Sequence, residues 1–256
     1  MLRVDVDDLR SQVRSMYHQV AEEPDASFHF EMGRALAERL GYPPEALDLV
    51  PAEAIESFAG VGYHLGFAAL RAGETVLDIG SGSGMDSFLA ARQVGPQGRV
   101  IGVDMTEAQR AKAERLRGRS GLSNVAFLAG YAEALPVEDG SVDAVISNGV
   151  INLAADKQLV FAEIARVLRP GGRLAIADIV TEQQLSDDIV CNSSLWAACI
   201  GGAAQIHSYL GMIEAAGLAV APVQENPQYR FVSRSALGAS EKYGVKSVSL
   251  LAVRRA

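Results

Sequence analysis

One segment of the chain combines a buried-strand pattern with three closely spaced glycines. The apolar run 75–79 is followed by Gly80, Gly82 and Gly84, and an apolar helical pattern then resumes. Glycine adopts backbone dihedrals that are closed to other residues, and its missing Cβ lets a ligand lie against exposed amides. The segment therefore predicts a strand that turns sharply into a helix and holds a ligand in the turn.

The spacing of these glycines excludes two common nucleotide-binding motifs. The dinucleotide fingerprint G-x-G-x-x-G/A would have Met85 at its last position when read from Gly80, and Ser87 when read from Gly82. A Walker phosphate loop needs a lysine directly after its last glycine, and this turn has none. Binding of a nucleoside triphosphate in this turn is therefore unsupported.

A carboxylate follows the turn at the end of a second apolar strand pattern. Residues 99–103 are mostly apolar, and Asp104 stands 20 residues after Gly84. A strand, a helix and the next strand occupy this interval, and an acid at that point can accept hydrogen bonds from both hydroxyls of a ribose. The turn and the carboxylate together predict a ligand that carries an adenosine-like ribose.

Composition limits the classes of protein to which the chain can belong. Its 256 residues are 49% hydrophobic and 21% charged, which is enough to bury one sizeable core. A net charge of −8 disfavours nucleic acid as a partner, so a small molecule fits better. The chain has two cysteines, no basic-apolar leader and no apolar run of about 18 residues. We therefore expect a soluble, cytoplasmic protein that has no membrane partner.

Apolar strand patterns alternate with helical patterns through the middle of the chain. The strands are expected at residues 75–79, 99–103, 124–128, 142–147 and 172–178. The helices between them are expected near residues 84–94, 106–118 and 156–168. This alternation predicts an α/β fold with a doubly wound, mostly parallel sheet.

The N-terminal part of the chain has a different pattern. Apolar residues recur at helical spacing within 4–22 and 27–40, which predicts two cap helices. We therefore expect an N-terminal helical cap or lid over residues 1–70 and a ligand-binding domain over residues 71–256.

The C-terminal part also departs from the alternation. Helical patterns at 186–200 and 205–217 predict an insertion, about 186–217, that contributes to the pocket. Two apolar strands within 230–253 flank a Ser/Gly/Lys loop, and they predict an antiparallel edge of the sheet.

These segments resemble the class I S-adenosylmethionine-dependent methyltransferases in every motif from Glu74 to about Asp178. Residues 76–84 resemble the first motif of the family, 130–136 its adenine-side loop and 141–148 its fourth motif. The resemblance implies a Rossmann-like fold, S-adenosylmethionine as cofactor, S-adenosylhomocysteine as product and no metal. The residues that it places at the cofactor are Tyr17, Asp78, Gly80, Ser81, Gly82, Gly84, Asp104, Met105, Ala132, Glu133 and Asn148.

Two features narrow this resemblance. Tyr131 stands where many members have an aspartate, which changes the contact expected for the adenine amino group. No N/D-P-P-Y/F motif follows Ser147-Asn148, so the enzymes that methylate amino groups of nucleic acids are disfavoured.

A closer resemblance, carried by residues 102–106 and 199–203 among others, is to the arsenite methyltransferase family. That family holds trivalent arsenic with cysteine thiolates, which are soft ligands for a soft acceptor. This chain has Val61 and Ser87 at two of the cysteine positions, and only Cys199 remains.

The second cysteine does not replace the missing thiolates. Cys191 and Cys199 stand eight residues apart, so on one helix they differ by about 80° in azimuth and ~12 Å in rise. We therefore expect methyl transfer to a small organic acceptor, as in specialised metabolism, with O, N, S and C all open as the methylated atom. The alternatives are an arsenite or other metalloid methyltransferase and a non-catalytic S-adenosylmethionine-binding protein. A monomer and a homodimer are both open.

The chemistry of a sulfonium methyl group sets few demands on catalytic residues. The methyl is already electrophilic, so the enzyme mainly holds an acceptor in line with it and excludes water. A hydroxyl or amine acceptor also needs a general base, for which His64 and His207 are the candidates. His64 can equally be a hydrogen-bonded or exposed loop residue, and His207 a surface residue. Tyr63, Trp196 and Cys199 are expected in the acceptor pocket, although the aromatic residues can also belong to the core.

Overall fold

One eight-stranded sheet forms the centre of the part of the chain that the computed structural model describes, which is residues 5–190, 196 and 200–255. Cys191 and Cys199 lie outside the described residues. The strands are β1 (Thr75–Ile79), β2 (Arg99–Asp104), β3 (Val125–Ala129), β4 (Val142–Asn148), β5 (Leu168–Thr181), β6 (Ala204–Gln205), β7 (Leu218–Glu225) and β8 (Lys246–Arg254).

The strand order is β3-β2-β1-β4-β5-β8-β7, and β6 pairs with β5. Neighbours from β3 to β5 are parallel, whereas β8 runs antiparallel to both β5 and β7. The direction in which successive strands are added to the sheet reverses between β1 and β4. In α/β sheets, ligands bind at such a switch point, beside the carboxyl ends of the strands. The prediction of a doubly wound, mostly parallel sheet with an antiparallel C-terminal edge is confirmed.

Five of the described helices precede the first strand, and further helices alternate with the strands after it. The described helices are α1 (Val6–Glu22), α2 (Arg34–Leu40), α3 (Pro44–Leu47), α4 (Ala52–Glu56), α5 (Leu65–Ala68), α6 (Met85–Val94), α7 (Glu107–Ser120), α8 (Lys157–Val167), α9 (Asp187–Val190), Ile206–Ala215 and Arg234–Tyr243. A short 3-10 helix, Ile151–Leu153, follows β4.

The alternation of side chains along β1 divides the core between the two faces of the sheet. Val76 belongs to one apolar cluster, together with Phe88 of α6 and Leu36 of α2. Leu77 belongs to another, together with Phe161 of α8. Successive side chains of a strand point to opposite faces, so these clusters bury the two faces separately. The N-terminal helices therefore share a core with the sheet.

The N-terminal helices differ in part from the expected pair. α1 begins where the Asp5 carboxylate accepts the amides of Asp7 and Asp8, both at 3.0 Å, which is a typical N-cap. The second cap helix starts at Arg34 rather than at residue 27, because Gly33 precedes it with a positive φ of 84°. The division of the chain at residue 70 stays a prediction.

The antiparallel edge is made from a different first strand than the one expected within 230–253. β8 pairs with β7, and the helix Arg234–Tyr243 lies between them in the chain. The Ser233 hydroxyl accepts the Ala236 amide at 3.2 Å, and Gly244 ends the helix in the left-handed conformation. These two caps favour a helix where the sequence analysis placed a strand.

Candidate functional site

The glycine turn lies between β1 and α6 at the carboxyl edge of the sheet. Gly80, Gly82 and Gly84 have positive φ values of 71°, 52° and 94°. The Gly80 amide donates to the Val103 carbonyl at 2.7 Å, which ties the turn to β2. A Cβ added to Gly80 would lie 2.3 Å from the Val150 side chain. Dihedral angles and packing therefore both require glycine at this position.

Asp104, at the end of β2, lies beside the same turn. Its carboxylate accepts the Gly82 amide at 2.9 Å and the Thr106 amide at 2.8 Å. Burial raises the pKa of Asp104 above its ordinary value, and the two amides act in the opposite direction. The carboxylate lines a cavity over the turn and retains lone pairs for a ligand.

This cavity brings together almost all of the residues expected at a cofactor. The lining includes every one of them except Gly84, which instead caps α6: Tyr17, Asp78, Gly80, Ser81, Gly82, Asp104, Met105, Ala132, Glu133 and Asn148. The Ser81 hydroxyl is buried there and has no hydrogen-bond partner among the described residues. A buried hydroxyl without a partner is costly, so it offers a hydrogen bond to a ligand.

Two buried carboxylates line the cavity beside β1 and α6. Asp78 accepts a hydrogen bond from the Ser87 hydroxyl at 2.6 Å, and Asp86 accepts one from the Tyr42 hydroxyl at 2.7 Å. Burial, followed by repulsion from the Asp86 carboxylate, raises the pKa of Asp78 to about 8. A cavity wall that carries two such carboxyl groups favours a positively charged ligand.

Asn148, at the end of β4, ties a glycine-containing loop to the cavity. Its carbonyl oxygen accepts the Val61 amide at 2.8 Å. Its Nδ2 group donates to the Gly62 carbonyl and to the Tyr42 hydroxyl, both at 3.0 Å. A Cβ on Gly62 would lie 2.3 Å from Nδ2 of Asn226, so the loop packs tightly there. Asn148 therefore connects the cavity to the loop that follows α4.

Two residues of this site, Tyr42 and Asp86, were not predicted from the sequence. Tyr42 precedes the sheet by more than 30 residues, and its pairing with Asp86 becomes visible only after folding. Asp86 itself stands two residues after the glycine turn, and a carboxylate buried in the first turn of a helix is a signal that could have been used.

Helix α1 forms the roof of the cavity. It contributes four lining residues at helical spacing, Leu9, Arg10, Val13 and Tyr17. The Arg10 guanidinium lies 3.5 Å from the Glu133 carboxylate and 4.6 Å from the centre of the Tyr131 ring. Tyr17 therefore lies in the lining of the cavity, and its contact with a cofactor stays a prediction.

The candidate general bases and acceptor-pocket residues stand apart from the lining. His64 is fully buried, neither of its ring nitrogens has a partner among the described residues, and burial lowers its pKa. His207 is exposed. The Tyr63 ring packs 4.7 Å from that of Tyr42.

Trp196 donates from Nε1 to the Val190 carbonyl at 2.6 Å, and Lys157 lies over its ring. Cys199 lies outside the described residues. The structure therefore does not bring His64, His207, Tyr63 or Trp196 to the cavity, and the roles of these four residues and of Cys199 stay predictions. Among the described residues, no group of three or more His, Cys, Asp or Glu is arranged to hold a metal ion. None of the described helices is long and apolar enough to cross a membrane.

A glycine turn, a strand-end carboxylate and a switch point between β1 and β4 define an α/β protein that binds a nucleoside-containing cofactor. A family model described as "Methyltransferase domain" matches residues 70–217, so the chain belongs to the methyltransferase domain family. The expected resemblance to class I S-adenosylmethionine-dependent methyltransferases is thereby confirmed.

Individual relatives refine this assignment. An arsenite methyltransferase of Halobacterium salinarum is 43% identical over 196 residues, which are 75% of this chain and 50% of that protein. The chain thus spans about half the length of this curated relative. The crystal structure of an arsenic(III) S-adenosylmethionine methyltransferase from Chlamydomonas reinhardtii is similar with a TM-score of 0.66 and 30% identity, over 88% of this chain and 75% of that one.

A geranyl diphosphate C-methyltransferase from Streptomyces coelicolor has the same fold. Its TM-score is 0.68 at 18% identity, and the similarity covers 94% of this chain and 98% of that one. The fold thus extends to a methyltransferase with an organic substrate.

Proposed function

We propose that the protein transfers a methyl group from S-adenosylmethionine to a small acceptor. The observation that carries the proposal is the cavity at the β1–β4 switch point, whose wall matches the chemistry of this cofactor. Asp104 is placed to accept ribose hydroxyls, and the acidic pair Asp78 and Asp86 suits the ammonium and sulfonium charges. The unpartnered Ser81 hydroxyl supplies a further hydrogen bond.

Each part of the cavity has a separate task in this proposal. When bound, S-adenosylmethionine supplies an electrophilic methyl group. Asp104 fixes the ribose end, while Asn148 and Tyr42 hold the loop at Val61 in place. Leu9 and Val13 of the roof exclude water from the cavity. Catalysis then depends mainly on the position of the acceptor.

The relatives favour trivalent arsenic as the acceptor over the organic molecule that the sequence analysis expected. The position of the histidines agrees with arsenic. Neither His64 nor His207 lines the cavity, and a lone pair on trivalent arsenic reacts without a general base. A hydroxyl acceptor would need a base, and neither of these two predicted histidines lines the cavity to supply one. We therefore infer arsenite methylation as the acceptor chemistry that the comparisons support best.

An organic acceptor is the second candidate, because of two side chains that replace thiols. The Ser87 hydroxyl is fully buried and donates to Asp78. Val61 is buried in an apolar cluster with Leu9 and Val13. Neither side chain can bind arsenic as a thiolate does.

The two candidates are distinguished by the products of parallel incubations. Purified protein is incubated with S-adenosylmethionine, glutathione and arsenite, or with a panel of organic acceptors, and S-adenosylhomocysteine and methylated products are quantified by mass spectrometry. Arsenic as acceptor predicts methylated arsenic in the wild type, a faster reaction in the double variant Val61→Cys/Ser87→Cys, and loss of the product in Cys199→Ala.

Two other outcomes of these incubations would support a different function. S-adenosylhomocysteine formed only with an organic acceptor, with no arsenic product even in the double variant, establishes the second candidate. Cofactor binding without turnover on any acceptor supports a non-catalytic binding protein. Asp104→Ala serves as the control in which cofactor binding itself is weakened.

A further inference from the structure

The roof helix α1 is fixed firmly at one end. The Gln109 side-chain amide on α7 donates to the Tyr17 carbonyl at 2.9 Å, and Lys112 donates to the Ala21 carbonyl at 3.2 Å. Both donors are nine-tenths or more buried. Buried hydrogen bonds of this kind are costly to break, so the C-terminal half of α1 stays attached to α7.

The N-terminal half of α1 is held across the cavity by Arg10. The guanidinium bridges to Glu133 at 3.5 Å and covers the face of Tyr131 at 4.6 Å. Arg10 is about one-third exposed, with a side-chain exposure of 32%. A partly exposed ion pair and a cation–π contact are both weak interactions, so this bridge opens far more easily than the buried end.

The bridge lies beside the ribose end of the cavity, at the loop that resembles the adenine-side loop of the family. Asp104 of β2 pairs in register with Ala129 of β3. Tyr131 and Glu133 follow β3 directly, and together with Arg10 they line the same cavity as Asp104. A ligand whose ribose is bound by Asp104 therefore lies next to the bridge.

We propose that Arg10 is a cofactor-retaining residue, whose bridge to Tyr131 and Glu133 closes the roof over the ribose end and sets the rate of cofactor exchange. The inference rests on the proposed function, because it requires the cofactor to occupy this cavity. Opening involves the N-terminal half of α1, while the Tyr17 end stays attached through Gln109. Arg10 acts on dissociation and not on the methyl-transfer step.

The rate at which the product S-adenosylhomocysteine dissociates measures this role directly. Full-length protein is loaded with radiolabelled S-adenosylhomocysteine, chased with excess unlabelled ligand and sampled by rapid filtration. Arg10→Ala should release the ligand roughly 3- to 10-fold faster, the scale expected for a partly exposed ion pair and a cation–π contact. Arg10→Lys retains the charge opposite Glu133 and should lie between Arg10→Ala and the wild type.

A matched control lies on the same helix. Arg14 is exposed and does not line the cavity, so Arg14→Ala should release ligand at the wild-type rate. Raising the ionic strength should accelerate release from the wild type more than from Arg10→Ala, because salt screens the Arg10–Glu133 pair. The melting temperature without ligand should be nearly equal in all variants.

Three results would overturn the inference. If Arg10→Ala releases the ligand at the wild-type rate, Arg10 does not retain the cofactor. If Arg14→Ala accelerates release as much as Arg10→Ala does, the effect comes from the overall charge of the helix. In both cases the proposed function stands, since the wild type binds the ligand. Failure of the wild type to bind S-adenosylhomocysteine overturns the proposed function, and this inference with it.

Discussion

Replacement of Asp104 by alanine tests the assignment of the ribose end of the cavity. The carboxylate accepts the Gly82 and Thr106 amides, at 2.9 and 2.8 Å, and is placed to accept two ribose hydroxyls as well. Asp104→Ala leaves the hydroxyls without this acceptor, at a cost of about 1–3 kcal/mol. That cost corresponds to a Kd for S-adenosylhomocysteine that is about 5- to 150-fold higher.

Calorimetric titration measures this change, and melting temperatures without ligand separate it from damage to the turn. Asp104→Asn retains one acceptor oxygen and should give an intermediate Kd. Glu138→Ala removes an exposed acid outside the cavity and should bind as the wild type does. A Kd for Asp104→Ala within twofold of the wild-type value, in a folded variant, would refute the ribose assignment.

The buried groups Asp78, His64 and Lys112 can each be tested by substitution. Because the pKa of Asp78 is raised to about 8, the affinity for S-adenosylmethionine should increase with pH up to about 8. Below that pH, binding should release a proton, which calorimetry in buffers of different ionisation enthalpy measures. The variant Asp78→Asn should lose both the pH dependence and the proton release. Burial lowers the pKa of His64, so its contribution to stability is present above about pH 6.5 and is lost as the pH falls. Urea unfolding should therefore show that His64→Phe gains stability relative to the wild type between pH 7 and pH 5, and a constant difference would contradict this. Lys112 is buried and donates three hydrogen bonds, so Lys112→Met should lower the free energy of unfolding by about 1–3 kcal/mol. Arg115 is exposed on the same helix, and Arg115→Met should leave the free energy of unfolding unchanged.

The central part of the fold was predictable because its signals are local in sequence. The strands from β1 to β4 begin and end within one residue of the expected positions, since each is a short apolar run between turns. The start of α2 and the helix Arg234–Tyr243 were not predicted. Their limits depend on Gly33, which has a positive φ, and on the Ser233 cap, and apolar periodicity does not record either feature.

The same distinction applies to the candidate site. The glycine turn and Asp104 lie in adjacent motifs, and their spacing alone placed them together. Tyr42 and Asp86 are 44 residues apart, and the bridge from Arg10 to Glu133 joins residues that are even further apart in the chain. Contacts between residues so far apart in sequence depend on how α1 and α2 pack against the sheet, and no local sequence pattern specifies that packing.

A crystal structure with S-adenosylhomocysteine is the sharpest test of whether this cavity binds S-adenosylmethionine. We expect one ligand molecule beneath α1, with its ribose hydroxyls bonded to the Asp104 carboxylate and its amino-acid end beside Asp78 and Asp86. Crystals grown at saturating ligand that hold it elsewhere, or with its ribose away from Asp104, would show that the cofactor does not bind as proposed.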